Sequence, residues 1–187
     1  MFKNHLLGIF SQIATYCLTS EARLFQLGVI NIDNFAIIEQ HFDSQSTQYI
    51  GEKIRKSLRK STRDQFFLQK LDYNSYVLAV PYENHKYVVR LIEKLIEDVN
   101  LGNDEFCSNS LFFLVKIGLA QYSRDGIMEE SFNCAQIALF ECRHEKNNNY
   151  SFYDLSLARI QKQINYTDLL GVFMGALKDK IRINVMV

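Results

Sequence analysis

Residues 66–80 (FFLQKLDYNSYVLAV) carry two apolar runs, Phe66 to Leu71 and Tyr76 to Val80, separated only by the polar stretch Asp72-Tyr73-Asn74-Ser75. So short a connection leaves the two runs one arrangement, an antiparallel hairpin, because parallel strands need a crossover of a dozen or more residues. The other strand-like segments are Phe25 to Ile32, Leu111 to Ala120 and Tyr150 to Tyr153. Each is set off from the next by enough chain for a helix. One hairpin plus strands joined through helices predicts an α/β (α+β) domain, a mixed central sheet flanked by helices.

The helices follow from apolar periodicity. Residues 3–18 place Leu6, Leu7, Ile9, Phe10, Ile13 and Cys17 on one stripe. Asp33 or Asn34 is positioned to cap a short helix running through His41. From about Ser46 to Lys60, Ile50, Ile54 and Leu58 recur at i, i+4, i+8, while Lys53, Arg55, Lys56, Arg59 and Lys60 take the opposite face. Residues 84–98 turn Val88, Leu91, Ile92, Leu95 and Ile96 inward. Leu101 to Asn109 reads as a loop, and residues 127–144 form another helix. The predicted order is α, β, α, α, β, β, α, β, α, β, with Leu111 to Ala120 as a central strand. The N-terminal helix fits either core packing or a connecting role.

Composition removes several function classes. Formal net charge is zero, so no global field draws in nucleic acid or an anionic membrane. The basic run at residues 51–63 reads as the solvated face of a helix, since no aromatics interleave with it; the alternative, an adaptor tracking a phosphate backbone, predicts salt-dependent binding. No apolar run approaches the ~20 residues a membrane helix requires. The four cysteines, Cys17, Cys107, Cys134 and Cys142, show no C-x-x-C or close Cys/His pairing. That argues against zinc and for reduced thiols in the cytoplasm, the expected location.

Five stretches in this order resemble the GGDEF domain, the catalytic module of diguanylate cyclases. They are Leu6 to Gln12, Asn31-Ile32-Asp33-Asn34-Phe35-Ala36, the tip Asp72-Tyr73-Asn74-Ser75-Tyr76, Lys116-Ile117-Gly118-Leu119-Ala120, and Ala135 to Arg143. The family's Gly-Gly-Asp-Glu-Phe signature falls on Asp72 to Tyr76, and the resemblance covers residues 5–154. It implies a nucleotide-cyclase-like fold with a ferredoxin-like core. The apolar skeleton follows the family; most of the polar residues do not.

The family condenses two GTP molecules into cyclic di-GMP, which needs divalent cations held by carboxylates. The resemblance puts those ligand positions at Asn31 and Asn74, both neutral amides. Ser75 stands in place of the signature acid, Asp72 and Tyr73 replace the two glycines, and Ala36 replaces a phosphate-binding lysine. Arg143 keeps a positive charge, while Asn147 replaces a nearby arginine. Guanine is read in the family at the positions of Glu39 and Gln48. The start of the short helix, at Asn34 and Phe35, remains able to meet phosphate. The family's inhibitory Arg-x-x-Asp site appears as Arg63-Asp64-Gln65-Phe66, with its acid lost. The chain is thus expected to have no catalytic residues, no metal and no cofactor. Phe35, Glu39, Gln48 and Arg143 are left as the nucleotide-binding candidates.

Residues 155–187 read as connecting helices followed by a strand. Gly175-Ala176-Leu177-Lys178 and Lys180-Ile181-Arg182-Ile183 are similar to the entry of an EAL phosphodiesterase domain. The expectation is a degenerate GGDEF domain over residues 1–154 that regulates or scaffolds an adjacent EAL domain or another signalling protein. The alternative is a domain that senses GTP or cyclic di-GMP without turnover.

Overall fold

The computed structural model describes residues 2–41, 45–100, 113–145 and 148–154. The expected loop at 101–109 and the expected tail at 155–187 lie outside the described residues. The elements run α1 (Phe2–Thr19), β1 (Leu24–Ile32), α2 (Phe35–His41), α3 (Gln45–Thr62), β2 (Phe67–Asp72), β3 (Ser75–Pro81), α4 (His85–Asn100), β4 (Val115–Ser123), α5 (Met128–His144) and β5 (Tyr150–Phe152). This is the order predicted from periodicity, and all of it falls within one unit, Met1–Tyr153.

The strands form one mixed sheet in the order β2-β3-β1-β4-β5. β2–β3, β3–β1 and β1–β4 are antiparallel, and β4–β5 is parallel. β1, rather than β4, is the middle strand. Eight of its nine residues are buried, as a strand with neighbours on both sides and helices on both faces should be. β4 is interior too, between β1 and β5. β2 is an edge strand and alternates between covered and open positions.

Side chains alternate between the two faces. Ile30, Ile32, Leu78, Val80, Ile117 and Leu119 point toward α2, α3 and α4, where Ile38, Ile50, Ile54, Leu58, Val88 and Leu95 meet them. Phe25, Leu27, Val29, Val77 and Ala79 point the other way, onto Ile9, Phe10, Ile13 and Cys17 of α1 and onto Phe132, Ala135 and Leu139 of α5. α1 is therefore core packing along this stripe, although Leu7 is exposed. The three layers place the C-terminal end of β1, the β2–β3 tip and the start of β4 at one corner of the sheet.

Local features sharpen the sequence reading at three places. β4 begins at Val115, not Leu111, because its partner ends there: Ile32, the last residue of β1, pairs with Val115. Asn34 stands immediately before α2, at the position the sequence offers for a cap. Its carbonyl accepts from the Ile37 and Ile38 amides, and its Oδ1 accepts from the Leu114 amide at 2.8 Å, tying the start of α2 to the approach to β4. Arg63 and Asp64, ahead of β2, form a left-handed turn with φ of 53° and 65°, and Asp64 pairs with Arg59 at 3.2 Å.

Candidate functional site

In the sheet register Asn31 lies opposite Ser75 on one side and Lys116 on the other. Residues opposite each other in adjacent strands share a face. Ser75, Asn31 and Lys116 therefore make a polar row across three strands, on the face that α5 covers. Asn31 and Ser75 are buried. The Asn31 Oδ1 has no hydrogen-bond partner among the described residues, a condition that costs about 1–3 kcal/mol when nothing compensates it. Lys116 is half-buried. Its ammonium donates to the Asn148 carbonyl oxygen, which also takes the Cys142 thiol at 3.4 Å. Among the described residues no carboxylate forms an ion pair with Lys116.

The β2–β3 tip closes the corner. The Ile32 amide donates to the Asn74 carbonyl at 2.9 Å, and Asn74 Nδ2 donates back to the Ile32 carbonyl at 3.4 Å. Asn74 is thus fastened to Ile32 at the end of β1, the residue next to Asn31. Asp72 Oδ1 accepts from the Tyr73 amide at 2.7 Å. The Tyr73 ring meets Phe35 edge-on, centroids 5.6 Å apart, and remains 54% exposed. The sequence suggests a left-handed Asn74, but neither Tyr73 nor Asn74 has a positive φ. The turn is accommodated instead by a register shift between Lys70 and Asp72, since such a bulge adds the twist that an ordinary turn lacks.

Arg143, in the last turn of α5, pairs with Asp33 through Nε at 2.9 Å. Its charge is thereby committed to a carboxylate two residues beyond Asn31. Burial pushes the Cys142 thiol up, partly offset by a bond from the Ile117 amide and by the Lys116 charge; Asp33 and Glu145 act in the opposite sense. Lys116, Cys142 and Asp33 therefore belong to one neighbourhood. Phe35 joins it through Tyr73, but its own side chain is in the core. Gln48 is exposed in the first turn of α3, and among the described residues no contact links it to the corner. Glu39 lies in α2, and its side chain lies outside the described residues, as does Asn147.

A pair of divalent cations does not fit this donor set. Magnesium takes hard oxygen ligands, chiefly carboxylates. The corner offers the neutral amides of Asn31 and Asn74 with an ammonium in the next strand position, while its two carboxylates are engaged elsewhere, Asp33 with Arg143 and Asp72 with the Tyr73 amide. Among the described residues no group of three or more His, Cys, Asp or Glu side chains is placed to hold a metal. Lys116 is the residue that the sequence reading passed over. Its signal was available: it is the one charged position in the run LFFLVKIGLA.

No protein-family model and no curated protein sequence matches the chain. Solved structures do. The GGDEF domain of DgcB from Caulobacter crescentus, in complex with c-di-GMP, is 14% identical, with 76% of this chain and 86% of that one covered and a TM-score of 0.61. An active GGEEF domain of a diguanylate cyclase from Vibrio cholerae is 14% identical, covering 78% and 90%, with a TM-score of 0.60. An EAL/GGDEF domain protein from M. capsulatus is 16% identical, covering 76% and 94%, with a TM-score of 0.60. At this identity the likeness is one of architecture, and in architecture this chain is a GGDEF-like domain, a five-stranded mixed sheet between two helical layers.

Proposed function

We propose that this chain is a regulatory module of cyclic di-GMP signalling that makes no cyclic di-GMP itself. The observation that carries the reading is the pair Asn31 and Asn74, with Lys116 beside Asn31. Joining two triphosphates needs their charge neutralised and the phosphorus polarised. Two amides facing an ammonium do not hold the cations that would do this. Ser75 supplies no charge at the remaining signature position, and Arg143 is already paired with Asp33. The domain is taken to span residues 1–154, with residues 155–187 leading into a following domain.

The adjacent partner in this reading is an EAL phosphodiesterase-type domain, and the setting is the cytoplasm. Support comes from the EAL-like pattern at residues 175–183 and from the likeness to an EAL/GGDEF domain protein. Chromatography after long incubation with GTP and manganese tests the loss of chemistry. No cyclic di-GMP is expected, and robust product overturns the reading. Sequencing the gene beyond Val187 tests the partner: an EAL-type continuation is expected, and its absence sinks that half.

A second reading, binding of GTP or cyclic di-GMP without turnover, is favoured by the buried and unpartnered Asn31 Oδ1. Glu39 and Gln48 are its proposed base-reading positions. The Arg63 route to cyclic di-GMP is disfavoured, because Asp64 is held by Arg59.

A further inference from the structure

We propose that the corner formed by Asn31, Ser75, Asn74 and Lys116 binds a phosphate-bearing ligand without any divalent cation, with the Lys116 ammonium supplying the positive charge. The inference rests on the reading that this corner has lost its metals, and it goes further by naming what took their place.

Three observations carry it. First, Lys116 is half-buried and its only described partner is a neutral carbonyl, that of Asn148. Its stem is covered while the ammonium makes its hydrogen bond at the surface, the arrangement by which a lysine holds its charge within reach of solvent and of a ligand. Two acids are equally near this corner in sequence: Asp33 is engaged by Arg143, and Asp72, opposite Ser75 in the register, accepts from the Tyr73 amide. Lys116 is left with a charge that an arriving anion can meet. Second, the register seats Lys116 directly across from Asn31. A fixed cation there repels a divalent ion and attracts a phosphate. Third, the Asn31 Oδ1 is buried and unpartnered, and an amide terminus can present either its oxygen or, after a flip, its N–H₂ donors. A phosphorylated ligand provides acceptors for the amide donors and hydroxyls for its oxygen. Ser75 and Asn74 are neutral and add no negative charge to that of Asp72, whose Oδ1 already accepts from the Tyr73 amide.

The arrangement differs in kind from a metal-bridged phosphate site. A metal-bridged site loses its ligand to a chelator. A lysine site does not, and it weakens with salt in the manner of a simple ion pair.

The test is isothermal titration of the full chain with two probes, inorganic triphosphate and GTP, each in EDTA and in magnesium. Binding in EDTA that is equal to or tighter than binding in magnesium is expected, because magnesium masks the phosphate charge. Lys116→Gln should weaken it by about tenfold or more, as expected for losing a charge-assisted bond. Lys116→Arg, which keeps the charge, should stay within a few-fold of the wild type and guards against a folding artefact. Lys70→Gln, on the exposed edge strand, should leave binding unchanged. Asn31→Asp should abolish chelator-resistant binding by giving Lys116 a partner. Binding of triphosphate but not GTP would still support the phosphate site, and would mean that the base adds nothing. Binding only with magnesium overturns both this proposal and the loss of metal. No binding of either probe at millimolar concentration overturns this proposal alone, and leaves the absence of cyclase activity to stand on its own assay.

Discussion

Gly118 lies against the backbone of α5 so closely that a Cβ there would come within 2.1 Å of the Ala135 carbonyl oxygen and 2.2 Å of the Leu139 amide nitrogen. The obstacle is backbone on two sides, and neither side can step aside as the end of a flexible chain does. This contact sets the height of α5 over β4, and with it the position of Arg143, Cys142 and the Asn148 carbonyl above Lys116. Gly118→Ala should destabilise the domain by at least about 2 kcal/mol, in the manner of an overpacked core. Urea denaturation followed by circular dichroism measures it, and a change under about 0.5 kcal/mol would mean that α5 is free to lift.

The buried thiols should be inert in the folded protein. Burial pushes Cys17 up to about 12, and Cys142 is also raised by burial. The thiolate is the reactive form. At pH 8 both should resist iodoacetamide over hours and react within minutes in denaturant. Mass spectrometry of the labelled peptides reads this directly, and rapid native labelling of Cys17 would contradict its place between α1 and the sheet.

Asp98 joins α4 to α3. Burial works against its carboxylate, but hydrogen bonds from Lys94 and Ser57 outweigh burial and hold it below the usual range. A depressed folded-state value means that the stabilisation is full above the ordinary carboxylate value near 4 and is lost as pH falls through the lowered value. Ser57→Ala should remove one of these bonds, costing about 1 kcal/mol near neutral pH and less below pH 3. Denaturation midpoints at a series of pH values check both the size and its direction.

The Asp33–Arg143 pair should matter little for stability. Its guanidinium side chain is half exposed, and such pairs contribute roughly 0–1 kcal/mol. Arg143→Ala is expected to shift the urea midpoint only slightly. A loss of several kcal/mol would show that Asp33 is more enclosed than its pairing suggests.

How far the sequence could be read varies with the kind of signal. The ten-element order was open to inspection because each helix and strand repeats its apolar residues at its own period. Ile50, Ile54 and Leu58 belong to one helix face whatever lies beyond them. The start of β4 was not open, because Phe113 and Leu114 continue the apolar run of the strand while the Leu114 amide is taken by Asn34. Where a strand begins is decided by its neighbour, and no local pattern records that. The same holds for the site. Asn31 and Asn74 could be picked out one at a time, but the significance of Lys116 comes from standing across from Asn31, a relation between positions 85 residues apart in a chain numbered as here. The turn at Arg63 and Asp64 was hard to read for another reason: aspartate is enriched at positive φ but adopts it in only a minority of places, and arginine before it gives no such signal.

The parallel pairing of β5 bears on how the domain meets whatever follows it. The chain leaves the sheet along this three-residue strand, with Ile117, Gly118 and Leu119 opposite Tyr150, Ser151 and Phe152 and the Tyr153 amide fastened to the Leu119 carbonyl at 2.7 Å. A tug on the chain past Asp154 is therefore borne in shear by a handful of hydrogen bonds, and it lands on β4 one residue from Lys116. The exit strand works as a latch: while it stays zipped, the Asn148 carbonyl just before it stays on the lysine, and peeling it away uncovers that ammonium while β1 still holds β4 in place.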